Sequence, residues 1–244
     1  MKLTVLGKYG PYPAPGGACS GYLVHDDNTK VLLDCGNGVL SRLQQVCALT
    51  DLDAIVISHL HSDHFCDMLV LKYALDILAT RSLRKDEPLP VYLPSAPFED
   101  FLRISYKNAF DLHPIELQSD LRIKTLNFSF AEMTHPIISY AISVSNAQKR
   151  LVYSGDTSYN EALIDFAKGS DLLLADAGLL EKDKKGAVNH MSAAEVGKIA
   201  SSACVSKLLL SHIWPLYDEK EILEECSFFF NNPVVAQEML TYDV

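Results

Sequence analysis

Four residues able to hold a metal ion fall within six positions: His59, His61, Asp63 and His64, in the stretch Ala54-Ile-Val-Ile-Ser-His-Leu-His-Ser-Asp-His64. An apolar strand runs straight into them. The alternation of His59 and His61 turns both imidazoles to one side while the chain stays extended. A lone histidine is ordinarily a satisfied core or surface residue, but three with an aspartate would leave several buried polar groups needing partners. Three more candidates follow the same logic: His135 after the apolar run ending at Phe130, Asp156 closing Leu151-Val-Tyr-Ser-Gly-Asp156, and His212 closing Leu208-Leu-Leu-Ser-His212. Taken singly, Asp156 reads as a turn residue and His212 as a loop residue. Four strand ends converging on one edge read instead as a site, because open sheets commonly assemble their sites there.

The elements that must position these residues are visible as apolar periodicity. Strand-length runs cover Leu3–Leu6, Tyr22–Val24, Val31–Leu33, Ala54–Ile57, Val91–Leu93, Leu121–Phe130, Ile138–Val144, Leu151–Tyr153, Leu172–Leu174 and Leu208–Leu210. Helical spacing covers Val39–Ala48, Asp63–Ala79, Asn160–Ala167, Ala193–Ala203 and Glu219–Phe229, and Ser192-Ala-Ala-Glu195 is a capping box that starts one of them. The polar segment His25–Lys30 reads as a hairpin turn, so the early chain is antiparallel, while later strands alternate with helices as in parallel or mixed sheets. Helices outside two sheets that face inward accommodate both halves. No long polar linker or short-period repeat divides the chain, so residues 1–244 are expected to form one domain. The Pro/Gly-rich stretch Gly10–Gly17 is the expected mobile loop over a site, and Arg81–Glu87 a solvated turn.

Composition bounds the function. An apolar content of 48% is that of a globular protein, and a formal charge of −10 opposes an extended nucleic-acid surface. No signal-peptide core follows Met1, and no apolar run approaches the roughly 20 residues of a membrane span, so a cytoplasmic protein without membrane attachment is expected. The six cysteines form no CxxC pair and read as reduced thiols; Cys66, two residues beyond His64, reads as a small buried hydrophobe rather than a ligand. His25 and His113 read as structural.

Taken in order, His59-Leu-His61-Ser-Asp63-His64, then His135, Asp156 in Ser-Gly-Asp-Thr, and His212 resemble the metallo-β-lactamase superfamily, and within it the branch of ribonuclease Z and related phosphodiesterases. The resemblance spans essentially the whole chain. It implies an α/β fold, the four-layer αββα sandwich, with a dinuclear site at one edge of its sheets. It also implies that His59, His61 and His135 hold one divalent ion, that Asp63, His64 and His212 hold the other, and that Asp156 bridges them. Zinc is the expected metal, with manganese or iron as alternatives. The two ions would lower the pKa of a bound water and stabilise charge on the attacked group, with Asp63 also orienting the hydroxide. Asp34, in Val-Leu-Leu-Asp34-Cys-Gly, matches an acidic position near the metals, where it would accept a hydrogen bond from a ligating imidazole.

His190, in Asn189-His190-Met-Ser192, resembles the extra histidine motif of the ribonuclease Z branch, which implies contact with the scissile phosphate and protonation of the leaving oxygen. Two departures bear on this. Ribonuclease Z proper inserts a long tRNA-gripping arm between the motifs matched here by His135 and Asp156, which stand only 21 residues apart. The branch also usually pairs a glutamate with the extra histidine, where this chain has Asp176, a side chain of shorter reach. Lys182, Lys184 and Lys185 read as a solvated basic loop, with charge neutralisation of a substrate phosphate as the alternative.

The expected function is therefore metal-dependent hydrolysis of a small or short phosphodiester, a small molecule or short oligonucleotide, through a dinuclear-metal-bound hydroxide. The second reading is carbonyl hydrolysis of the lactonase, β-lactamase or glyoxalase II type, which needs nothing at His190. The third is a catalytically silent metal-binding scaffold, against which stands the full set of seven ligands. Homodimerisation is a family-level expectation.

Overall fold

The structure, a computed structural model, describes residues 1–118 and 121–244. The first half runs β1 (Lys2–Gly7), β2 (Gly21–Asp26), β3 (Thr29–Leu33), α1 (Val39–Val46), β4 (Ala54–Val56), α2 (Ser62–Phe65), α3 (Met68–Thr80), β5 (Leu89–Leu93), α4 (Phe98–Ile104) and β6 (Phe110–Pro114). The second runs β7 (Leu121–Ile123), β8 (Leu126–Met133), β9 (Ser139–Ser145), β10 (Arg150–Tyr153), α5 (Ala162–Ala167), β11 (Leu172–Asp176), α6 (Ala193–Ser202), β12 (Leu208–Ser211), α7 (Glu219–Ser227), β13 (Val234–Val235) and β14 (Thr241–Asp243).

Two mixed sheets result, in the orders β14-β1-β2-β3-β4-β5-β6 and β13-β12-β11-β10-β9-β8-β7. Their interior strands β3, β4, β11 and β12 are apolar on both faces because each face is covered. In β3 and β4, Val31, Leu33, Ala54 and Val56 enter the core between the sheets, while Leu32 and Ile55, with Ile57 just beyond β4, meet Leu43 of α1 and Leu71 and Leu75 of α3. In β11, Leu172 and Leu174 face the other sheet, while Leu173 and Ala175 pack under Leu163 of α5, Val196 and Ile199 of α6 and Ile222 of α7. The period-two pleat thus builds four layers, αββα. The registers Leu33↔Val56 and Tyr153↔Leu174 keep equivalent side chains on one face.

The hairpin expected at residues 25–30 joins β2 to β3, and the capping box at Ser192 has both of its reciprocal bonds. Two of the expected elements take a different form, and α4, β6, β13 and β14 were not expected. The helix expected over residues 63–79 is two helices, because the Asp67 amide donates to the Cys35 carbonyl (3.1 Å) rather than to Asp63 four residues back. Gly36 packs so closely on the Asp63 carbonyl that a Cβ there would lie 1.9 Å from it. The strand expected over 121–130 is a hairpin, turned by Lys124 in the left-handed region (φ 50), and β8 runs on to Met133, just before His135.

Candidate metal centre

β4 ends at Val56, and the next residues are fixed before any histidine is placed. The Ile57 amide donates to Tyr92 (2.8 Å), the Ser58 amide donates to Asp34 Oδ1 (2.7 Å), and the Ser58 carbonyl accepts from Tyr140 of the other sheet (3.0 Å). His59 and His61 then turn the same way. His59 Nε2 lies 3.2 Å from His61 Nδ1, which lies 3.0 Å from His135 Nε2. Nitrogens on a tetrahedral ion with bonds of about 2.0–2.1 Å would stand roughly 3.3 Å apart. A proton can bridge one such pair, whereas a cation serves all three. Burial holds His59 well below the ordinary imidazole pKa, and lowers His61 and His135 against the pull of Asp156. Each shift favours the neutral imidazole, the form in which histidine binds a metal.

The second group joins both sheets. α2 supplies Asp63 and His64, the turn after β10 supplies Asp156, and the residue after β12 is His212. Asp156 Oδ2 lies 3.3 Å from His64 Nε2, 3.1 Å from His212 Nε2 and 3.6 Å from His59 Nε2, so this one carboxylate reaches both groups. Asp63 Oδ2 is 3.2 Å from His212 Nε2 and 3.5 Å from His64 Nε2. Burial opposes charge on His64 and His212, yet the surrounding carboxylates outweigh it and push His64 well up and His212 up to about 10. Burial likewise opposes charge on Asp63 and Asp156, and His64 and His212 hold both below the usual carboxylate range. This half of the site therefore calls for positive charge. His64 Nε2 and Asp156 Oδ1 are buried without a hydrogen-bond partner, and unpaired buried polar atoms of this kind are costly unless an ion fills the gap. The residues present fit a pair of divalent cations.

Asp34 is wholly buried behind this group. Its Oδ2 accepts from His64 Nδ1 (2.8 Å), Ser58 Oγ (2.8 Å) and Tyr153 OH (2.7 Å), which leaves His64 Nε2 as the nitrogen facing the cluster. Asp34 and His212 both adopt left-handed backbone, φ 55 in each. Such strain clusters at functional sites, where the surrounding structure over-determines it.

His190 comes from the loop before α6. Its Nδ1 lies 3.0 Å from Asp176 Oδ2 and 3.8 Å from Asp156 Oδ2, and its ring stacks on His212 with centroids 4.9 Å apart. Asp176, at the end of β11, therefore reaches His190 despite its short side chain, and the Gly178 amide (2.9 Å) donates to its other oxygen. The basic loop turns elsewhere: Lys182 pairs with Glu221 (2.9 Å) and Lys184 with Glu195. Cys66 joins no metal-type group among the described residues, and burial, then Asp67 and Asp63, push its thiol up to about 11. It is half-buried rather than buried as expected. His113 lies apart, paired with Asp111 (2.8 Å) and stacked on Tyr92.

A family model for the beta-lactamase superfamily domain matches residues 29–213. The chain belongs to that superfamily. Within it, the chain is 32% identical to the probable metallo-hydrolase YhfI of Bacillus subtilis, with 96% of each chain covered. The crystal structure of YhfI superposes with a TM-score of 0.94 over 99% of this chain and 98% of that one. Ribonuclease Z of Brevibacillus brevis is 27% identical over 78% of this chain and 77% of its own. Human tRNase Z, short form, shares the superfamily fold at 20% identity with a TM-score of 0.76, covering 100% of this chain and 99% of its own. The chain is thus a metallo-hydrolase of the β-lactamase fold, and among its described residues no helix is long and apolar enough to cross a membrane.

The close contacts and apolar walls around this centre are not apparent from the sequence, beyond the loop expected at Gly10–Gly17. Gly10 lies so close to His212 that a Cβ would sit 1.9 Å from Nε2, and the Gly10 amide donates to Ile213 (3.2 Å). The Gly10–Gly17 loop does overhang the site, with Pro11 beside His61, Asp63 and Asp156. Trp214 and Tyr217, beyond His212, carried no motif signal at all.

Proposed function

We propose that this metallo-hydrolase cleaves small phosphodiesters, with His59, His61 and His135 holding one divalent ion, Asp63, His64 and His212 the other, and Asp156 between them. Zinc is the metal the imidazole-rich donor set favours. Bound there, the ions supply Lewis acidity and an activated water. The observation that carries the reading is His190: Asp176 holds its Nδ1 at 3.0 Å, beside Asp156 and against His212, which leaves Nε2 to serve the substrate. An imidazole fixed by a carboxylate at the rim of a metal pair can deliver a proton to a departing alkoxide, the help that cleavage of an unactivated phosphodiester needs. The chain between β8 and β10 supports a small substrate, since it is filled by β9 and the turn in which Asn146 accepts from the Lys149 amide (2.8 Å).

The test is turnover of phosphodiesters by the metal-loaded protein. His190→Ala is expected to lower kcat by about 10²–10⁴-fold, and by more for phenyl than for 4-nitrophenyl esters, whose leaving group needs less help. A protein active on thioesters or lactones and inert to every phosphodiester would overturn the reading.

A further inference from the structure

Next to the metal-type groups, the same loop roofs a second space. A cavity of about 450 Å³ is walled by Pro11, Leu179, Trp214 and Tyr217, and it opens onto His190 and His212. A smaller space of about 310 Å³ holds His61, Asp63 and Asp156, and it shares Pro11, His190 and His212 with the larger. The two histidines therefore stand between the metal side and the apolar side.

The apolar walls are held in place. Trp214 and Tyr217 meet edge to face with centroids 5.0 Å apart, and the indole N–H is spent on the Tyr12 hydroxyl (3.1 Å). Leu179 is tied to the chain around His190 by a bond from its amide to Met191 (3.2 Å) and by one from Ala193 to its carbonyl (3.0 Å). What these side chains offer a ligand is ring face and aliphatic surface. Among the described residues no lysine or arginine lines the cavity; the one charged group besides the histidines is Asp183, whose carboxylate accepts from Tyr217 OH (2.9 Å). An anionic group passing His190 and His212 into the apolar end would lose its water without meeting a lysine or arginine. The volume is that of a pocket for one compact organic group.

We propose that this cavity binds one ester arm of the substrate and selects arms that carry a flat, uncharged ring of nucleobase or aryl type. The inference rests on the phosphodiesterase reading for the existence of that arm, and it narrows the substrate: an arm continued by further phosphates, as in an oligonucleotide, finds no partner in this cavity.

Trp214 is the only tryptophan in the chain, so its fluorescence reports on the cavity without any need for turnover. The metal-loaded protein would be titrated with uridine, with orotidine, which adds one carboxylate to the same ring, and with ribose, which lacks the ring. Uridine is expected to change Trp214 emission saturably and to bind at least about tenfold more tightly than either other probe. Tyr217→Ala should weaken uridine about tenfold, the scale of one ring–base contact, and Tyr217→Phe, which keeps the ring, should restore it. Equal binding of ribose or orotidine, or an unchanged uridine affinity in Tyr217→Ala, would overturn the proposal. Hydrolysis of bis(4-nitrophenyl) phosphate by a protein that ignores uridine sinks this inference alone. Tight uridine binding without turnover of any phosphodiester sinks the functional reading instead and leaves the cavity's ring selectivity standing.

Discussion

Asp34 shows how much of the centre depends on residues that touch no ligand. Its Oδ2 is surrounded by donors from His64, Ser58 and Tyr153, so Asp34→Asn would keep the size and tolerate the left-handed backbone while placing an amide N–H₂ among N–H and O–H groups. Metal affinity is expected to fall about 10–100-fold in competition against a chromogenic chelator. An unchanged affinity would mean that His64 needs no orienting partner. Gly10→Ala tests a different contact. The new methyl group would occupy the space of His212 Nε2, so the variant should bind about one ion per chain in place of two, as counted by elemental analysis. Two ions retained would show that the loop can retreat. Neither effect is apparent from the sequence: Asp34 reads as an ordinary aspartate before a turn until a family pattern is laid over it, and Gly10 as one turn glycine among several. The metal-type residues themselves were legible because histidine and aspartate right after apolar strands have few structural uses. His190 was legible by resemblance, but its partner Asp176 was settled only by the 3.0 Å contact.

At the scale of elements, the break between α2 and α3 leaves Asp63 and His64 on a short helix of their own, within reach of His212 and Asp156 from the other sheet. Asp67 organises it twice, through its amide to Cys35 and through its carboxylate, which accepts from the Leu40 amide (2.9 Å) at the start of α1. The carboxylate thus caps a helix other than its own. Asp67→Ala should cost about 1–2 kcal/mol in urea unfolding, the range of a lost helix cap, with α1 fraying at its first turn in hydrogen exchange. A loss below about 0.3 kcal/mol would contradict this role. Apolar spacing alone runs one helix through residues 63–79, because the interruption comes from a bond to a residue some thirty positions earlier. The edge strands β6 and β14 escaped for a related reason: β6 alternates only over Phe110-Asp-Leu-His before Pro114 and is only partly buried, and β14 is three largely exposed residues, so neither run is long enough to mark a strand and their pairing partners decide them. The interior strands β3, β4, β11 and β12 were plain because both of their faces are covered.

For the molecule as a whole, the apolar clusters that hold the two sheets and their helices together contain none of the proposed metal ligands. Stripping the metals should therefore leave the protein folded but less stable, since each ion present at 1,000 times its Kd adds about 4 kcal/mol. For a chain of this size, loss of both corresponds to a fall in Tm of roughly 20 °C by calorimetry. Loss of all cooperative unfolding would instead make the ions part of the core. The sandwich could be anticipated because it follows from period-two burial, whereas the substrate cavity could not: Pro11, Leu179, Trp214 and Tyr217 come from three separate loops, and only the fold brings them together. The most direct test of the account is elemental analysis of the protein coupled to a panel of phosphodiesters, thioesters and lactones. The account predicts two divalent ions per chain and turnover of phosphodiesters that falls sharply in His190→Ala. Two ions with hydrolysis of thioesters or lactones alone, or fewer than two ions in a fully active enzyme, would contradict it.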